Sequence, residues 1–392
     1  MIRLQGMTWD HRRAIGPLVA LDAAFMRQRP DVEVSWRARP LSGFEFDPID
    51  RLARENDFVI FDHPFCGRIA ATGCFLSVST LLEEAGGQGA FVGPSVASYH
   101  YGDGHWGVPV DAACQVAVFR PDLLARLDRA VPESWEATCA LGEHAARKGL
   151  SVAIGLHGVH ALMTFFSLCA SLGAPYAGDA ADSIDEIAAG EALAQMRRLV
   201  ALCVAPVLDL NSIGLHEALA RGDTLAYCPA VYGYAAYGEA DQAHPLAFGP
   251  FAGAAAETGA GSTIGGAGLG ISARVAGDPE VLEAALAYAR LAATSACQVD
   301  VFADHHGQPA HVAAWKESGI DARFNGFFSA TRGTMERTWI RPRHDGYLAF
   351  QASAGDLIEQ HLRGNLAERS LLEHLKILDA SCRSGAQTIK GR

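Results

Sequence analysis

The chain is short of basic residues. Lys and Arg number 32 against 44 Asp and Glu, a net charge of −12 over 392 residues. Such a balance gives no electrostatic footprint for a phosphate backbone or an anionic membrane, so nucleic acid is excluded as a partner. Charge of either sign is scarce at 19%, whereas hydrophobic residues reach 49%, beside Gly 41 and Pro 17. That composition packs a core and does not describe a disordered chain. At this length one core usually stops growing, which predicts two lobes. The nine cysteines (66, 74, 114, 139, 169, 203, 228, 297 and 382) are odd in number and never spaced C-x-x-C. Neither a structural zinc site nor a redox pair follows, and reduced, mostly buried thiols are expected. The opening residues to His11 lack the basic head, apolar stretch and cleavage site of a secretory leader. With the scattered cysteines, this predicts a cytoplasmic chain, with the periplasm as the alternative if a leader has been removed.

Motifs of catalysis are missing as well. There is no G-x-S-x-G elbow, and H-E-x-x-H fails because His216-Glu217 is followed by Ala220 in place of the second His. Cys66 and Cys114 are the only hints of a nucleophile. His157 with His160, and His305-His306 with His311, have spacings that chance supplies among fifteen histidines, so no metal site is expected. Gly102-Asp-Gly104-His-Trp-Gly107 has the letters of a dinucleotide fingerprint, but Val108-Pro109-Val110 follows where a helix should receive the pyrophosphate. A tight turn is expected there, and no cofactor. The glycine-dense run from Gly265 to Gly270 stays open between a plain turn and close backbone approach to a ligand. Residues 150–178 contain no Asp, Glu, Lys or Arg and are long enough to span a bilayer. Gly155, His157, Gly158, His160 and Pro175 interrupt them, so a strand at 150–154 and a helix at 161–172 are predicted instead. No repeat or heptad pattern appears.

What is present is an alternation of strand and helix signals. Strands are predicted at 2–7, 32–36, 58–61, 106–119 and 224–228, the last running into an aromatic loop at 229–234. Helices are predicted at 17–28, 47–55, 132–148, 215–221, 279–294, 354–363 and 366–381, and 249–270 reads as loop into strand. Such alternation implies a mainly parallel α/β sheet whose ligands gather at the carboxyl ends of strands. Aromatic plates mixed with a few polar groups recur at those ends: Trp9-Asp10-His11, Asp62-His63, Tyr232-Gly-Tyr234, and Trp339 through Arg341, Arg343 and Tyr347. Aromatic faces stack on sugar C–H faces while carboxylates, imidazoles and amides bond hydroxyls, so a cleft for a small polar molecule is expected. In the extended Arg341-Pro342-Arg343 both guanidiniums are expected on one face, which leaves a sugar acid open beside a neutral sugar or polyol.

Several motifs in order resemble the extracellular solute-binding proteins of ABC importers, in the maltose-binding-protein-like, sugar-binding branch. They are Trp106-Gly-Val-Pro-Val with Phe119-Arg-Pro-Asp-Leu-Leu124, Pro132-Glu-Ser-Trp135, Leu219-Ala-Arg-Gly-Asp-Thr-Leu-Ala-Tyr227, Gly265-Gly-Ala-Gly-Leu-Gly-Ile-Ser, and Gly307-Gln-Pro309. The resemblance implies an α/β, two-lobed periplasmic-binding-protein-like clamshell, each lobe a mainly parallel sheet flanked by helices. It implies lobes at 1–108 plus 251–303 and 109–250 plus 304–392, crossings near 108–111, 246–250 and 303–308, and ligand trapped between the lobes. It places ligand contacts on Trp9, Asp10, His11, Asp62, His63, His157, Tyr232, Gly265, Gly266 and Tyr347, to which the residues themselves add Arg341 and Arg343. An acidic side chain common two positions before the Gln of the crossing strand is Ala113 here, before Cys114-Gln115. The function implied is a monomeric binder, not an enzyme, that delivers a sugar, polyol or sugar acid to ABC permease subunits. The alternative is a cytoplasmic sensor or sequestering protein on the same fold.

Overall fold

The computed structural model describes residues 1–178, 183–253 and 261–389; the part of the expected loop 249–270 that falls at 254–260 lies outside them. The chain forms two compact units. The first comprises 1–112, 265–320 and 343–348, the second 113–264, 321–342 and 349–392. Compared with the bounds read from sequence, 109–112, 304–320 and 343–348 belong to the first unit and 251–264 to the second. The physical reason for 304–320 is its pairing with the first unit: His311 bridges to Phe91, Val92 N–H donates to Ala310 O at 2.9 Å and Ala112 N–H to Gln308 O at 3.0 Å.

The first unit is built on strands β1 (Ile2–Trp9), β2 (Val32–Arg39) and β3 (Phe58–Phe61). β1 pairs parallel with both β2 and β3. The helix Arg12–Gln28 returns the chain from β1 to β2, burying Ala14, Leu18, Leu21 and Phe25 on one stripe. It starts earlier than the expected 17, because His11 caps it: Nδ1 accepts the N–H of Arg13 at 3.1 Å. Pro17 therefore lies inside the helix. The literal G-x-G-x-x-G is a turn, joining β4 (His100–Tyr101) to β5 (Gly104–His105).

From there β6 (Val108–Phe119) carries the chain from the first unit into the second, the boundary falling after Ala112. In the second unit β7 (Ser151–Val152) lies parallel to β8 (Leu225–Tyr232), while β8 and β9 (Ala247–Gly249) pair antiparallel with β6. The expected aromatic loop at 229–234 is largely strand, since β8 continues through Pro229 to Tyr232. Helix Trp135–Arg147 is capped by Ser134, whose Oγ accepts Ala137 N–H at 3.2 Å. The uncharged stretch 150–178 resolves into β7 and the helix Val159–Ser171, every residue of which is buried. No helix among the described residues is long and apolar enough to cross a membrane.

β10 (Ile264–Ile271) closes the first unit's sheet, antiparallel to β3, with Gly268 opposite Phe61. The glycine-dense run is thus strand, neither turn nor loop. Its glycines admit close neighbours: a Cβ on Gly270 would lie 2.1 Å from the ring of Phe75, and Gly266 at φ +102° would put one 2.4 Å from the Asp111 carbonyl.

Candidate functional site

In the first unit the residues singled out from sequence sit at strand ends. Trp9 ends β1 and is buried, its ring 5.1 Å from that of Phe44. Its indole N–H has no hydrogen-bond partner among the described residues. Trp9 lines a cavity of about 20 Å³ together with Arg13, Asp111 and Gln308. Asp10 is exposed and His11 is occupied as the helix cap. At the end of β3, Asp62 Oδ1 accepts from His63 N–H at 2.9 Å and lies 3.0 Å from His63 Nδ1, which fixes the buried imidazole. Gly265 and Gly266 open the first unit's part of β10.

Arg343 donates to the carbonyls of Ala97 and Ser98 at 2.5 and 3.3 Å, and Tyr347 is wholly buried, its ring 5.9 Å from His344. Arg341 and Arg343, expected on one face, have separate partners. The compact units divide between them, and Arg341, in the second unit, donates to Gln351 Oε1 at 3.1 Å.

A buried ion pair escaped the sequence reading. Arg13 donates to Asp111 through Nε at 2.6 Å and Nη2 at 2.5 Å, both side chains being buried. Burial is the larger influence on Asp111 and raises its pKa; the guanidinium opposes it. The pair ties the helix Arg12–Gln28 to β6 next to the point where that strand leaves the unit. Burial disfavours the thiolate of both supposed nucleophiles. Burial pushes the Cys66 thiol far up and Cys114 to about 12, so neither supplies a thiolate at neutral pH.

In the second unit Tyr232 ends β8, half-buried, and its hydroxyl meets Thr263 Oγ1 at 3.0 Å. Behind it runs a buried chain of neutral groups. Ser167 Oγ lies 3.3 Å from Thr263 Oγ1 and donates to Gln115 Oε1 at 2.7 Å, while Gln115 Nε2 donates to Thr164 Oγ1 at 3.0 Å. Ser262 Oγ donates to the Gln115 carbonyl at 2.7 Å. Thr164 and Ser167 share a helical face with His160 and Ser171, a polar stripe at i, i+4, i+7 and i+11 on an otherwise apolar helix. That spacing, along the helix expected at 161–172, is the signal the sequence offers for it.

His157 is exposed just before this helix, and Gly158 at φ +60° makes the entry turn. His160, one turn in, is buried; burial first, then the charges of His157 and Arg341, lowers its pKa to about 4. The structure therefore brings His157 and Arg341 to bear on one neutral imidazole. The cluster from Tyr232 to Thr164 holds no ionised group; its other members are buried and bonded to one another, so it meets a ligand through the half-buried, uncharged Tyr232, which suits hydrogen bonding to hydroxyls and does not select a charged ligand. Among the described residues no three His, Cys, Asp or Glu side chains converge as metal ligands.

No family model matches the chain, and no curated protein matches it in sequence. Solved structures match over nearly its whole length. The maltose-bound MalE3 of T. maritima is 16% identical, with a TM-score of 0.80 over 98% of this chain and 99% of that one. An ABC transporter solute-binding protein from Agrobacterium radiobacter K84, in complex with ribitol, is 17% identical with a TM-score of 0.76, covering 96% and 97%. An ABC substrate-binding protein from Listeria monocytogenes, in complex with cycloalternan, is 14% identical with a TM-score of 0.80, covering 98% and 99%. The chain has the α/β fold of these solute-binding proteins.

Proposed function

We propose that the protein is a solute-binding protein for an ABC transporter, a monomer that holds a neutral sugar or polyol and delivers it to permease subunits rather than transforming it. The observation that carries this reading is the uncharged hydroxyl and amide cluster that surfaces at Tyr232, on a fold shared with binders of maltose, ribitol and cycloalternan. Fold alone does not fix function, so the chemistry of the residues decides the ligand class. A neutral ligand is favoured over a sugar acid because both candidate guanidiniums already donate to protein acceptors, Arg341 to Gln351 and Arg343 to two carbonyls. A ligand carboxylate would have to displace those bonds.

The test is mass spectrometry of small molecules released from freshly purified, denatured protein, followed by calorimetry with matched neutral sugars, polyols and sugar acids. Neutral compounds should bind, and Trp9→Ala and Tyr232→Phe should each weaken binding, the former by about tenfold, as for loss of a ring contact. Preferential binding of acids, together with loss of affinity in Arg343→Gln, would overturn the neutral-ligand reading. The nine free cysteines favour a second reading, a cytoplasmic sensor or sequestering protein on the same fold. Fractionation of the native cell separates the two by where the chain is found.

A further inference from the structure

The first unit carries a histidine pair away from the residues discussed so far. The β4–β5 hairpin turns through Gly102 and Asp103, with Gly102 at φ +60°, the glycine that a type II′ turn requires at its first central position. Tyr101 pairs with Gly104 beside the turn, and His100 faces His105 one step further out. In a two-residue hairpin the pair flanking the turn carries the ladder bonds and the next pair does not, which brings that pair's side chains closest. The backbone agrees: His105 N–H donates to Ser79 Oγ at 3.1 Å, and the ladder resumes with Trp106 N–H to Tyr99 O at 3.0 Å. The two imidazole centroids are 4.8 Å apart at an interplanar angle of 58°.

A metal bound to imidazole lies about 2.1 Å from nitrogen and hence about 3.2 Å from the ring centroid, so two rings sharing one ion at roughly 90–109° stand about 4.5–5.2 Å apart. The observed separation falls in that window. The Ser79 hydroxyl lies 3.1 Å from His105 Nδ1, which orients the ring and leaves Nε2 for a ligand, the usual arrangement behind a metal-bound histidine. His100 is exposed and His105 half-buried, so an ion has access.

We propose that His100 and His105 form a two-imidazole site for a single borderline divalent cation, of the zinc, copper or nickel class, with water completing its coordination. Imidazole donors suit these ions and not magnesium or calcium.

The test uses the untagged full-length protein, stripped with chelator and titrated at pH 7.5 with each chloride salt by calorimetry, with electron paramagnetic resonance of the copper form. One equivalent should bind, with a hyperfine pattern from two nitrogens. His100→Ala and His105→Ala should each weaken binding tenfold or more, and added zinc should raise the melting temperature of the wild type but of neither variant. The exposed position of His100 makes that variant a fair test even if His105→Ala folds poorly. The double variant His305→Ala/His306→Ala should bind as the wild type does. Unchanged affinity in His100→Ala, or loss of the site in the His305/His306 variant, would overturn the proposal, as would magnesium binding equally well.

Discussion

Two titratable residues, the half-buried Asp22 and the buried His160, respond to pH in opposite senses. Burial raises Asp22 to about 6, partly offset by hydrogen bonds from Tyr288 at 2.6 Å and Trp36 at 3.2 Å. The folded state then holds more protons than the unfolded one between pH 4 and 6, so this stabilisation is complete below the ordinary value and is lost as pH rises through 6. Asp22→Asn is expected to gain roughly 1–2 kcal/mol over the wild type at pH 7.5 and little at pH 4, read by denaturant unfolding. His160, lowered to about 4, behaves conversely: its stabilisation is present above 6.5 and is lost as pH falls toward 4. His160→Gln should therefore lose on the order of 2–3 kcal/mol less than the wild type between pH 7 and pH 4. An unchanged slope in either variant would assign the pH response to other groups. The Arg13 and Asp111 pair supplies a sharper contrast. Arg13→Ala leaves a buried carboxylate uncompensated and should cost about 3–5 kcal/mol, whereas Arg13→Met with Asp111→Leu should cost less, because no charge is stranded.

Individual elements were legible where pattern and cap agreed. Asp278 and Pro279 announce the helix Pro279–Ala293, and its observed limits are close to the expected 279–294. Where an unusual residue did the capping the reading failed: His11 is a rare N-cap, and Pro17 looked like a start when it is interior. The penultimate helix Tyr347–Leu362 begins well before the expected 354, since Tyr347 and Leu348 are apolar enough to read as packing and carry no cap signal. The spacing of the polar stripe on Val159–Ser171 is readable in the sequence, but its role is not. Its Ser and Thr hydroxyls matter only through Gln115 on β6 and Thr263 beside β10, partners far away in sequence. Ser167→Ala is expected to cost about 1–3 kcal/mol by leaving Gln115 Oε1 and the Thr263 N–H short of a partner in a buried place. Equal stability of variant and wild type in urea would mean that water replaces the hydroxyl.

At the scale of the whole chain, alternation of strands and helices sufficed to foresee an α/β fold, and the order of short motifs sufficed to foresee its kind. The bounds of the units were not legible, because membership is decided by strand partners that sequence spacing does not reveal. The first 112 residues lack part of their own unit. β3 needs β10, which arrives at 264–271, and Tyr99 lies against the bare backbone of Gly268, where a Cβ would come within 2.6 Å of its ring. The segment 343–348 fits as tightly against Gly67, whose Cβ would fall on the Arg343 carbonyl. A fragment of residues 1–112 alone would leave one edge of β3 and the apolar faces of Phe61, Phe75 and Tyr99 uncovered, against a chain entropy of roughly 1–2 kcal/mol per residue. That fragment is expected to be unfolded, with no near-ultraviolet circular dichroism and no cooperative melting. Joining residues 1–112 through flexible linkers to 265–320 and then to 343–348 restores the first unit's part of β10 and the 343–348 segment and should recover a cooperative transition. A sharp melting transition in the 1–112 fragment by itself would show that β1, β2 and β3 make a sufficient core without their late partners.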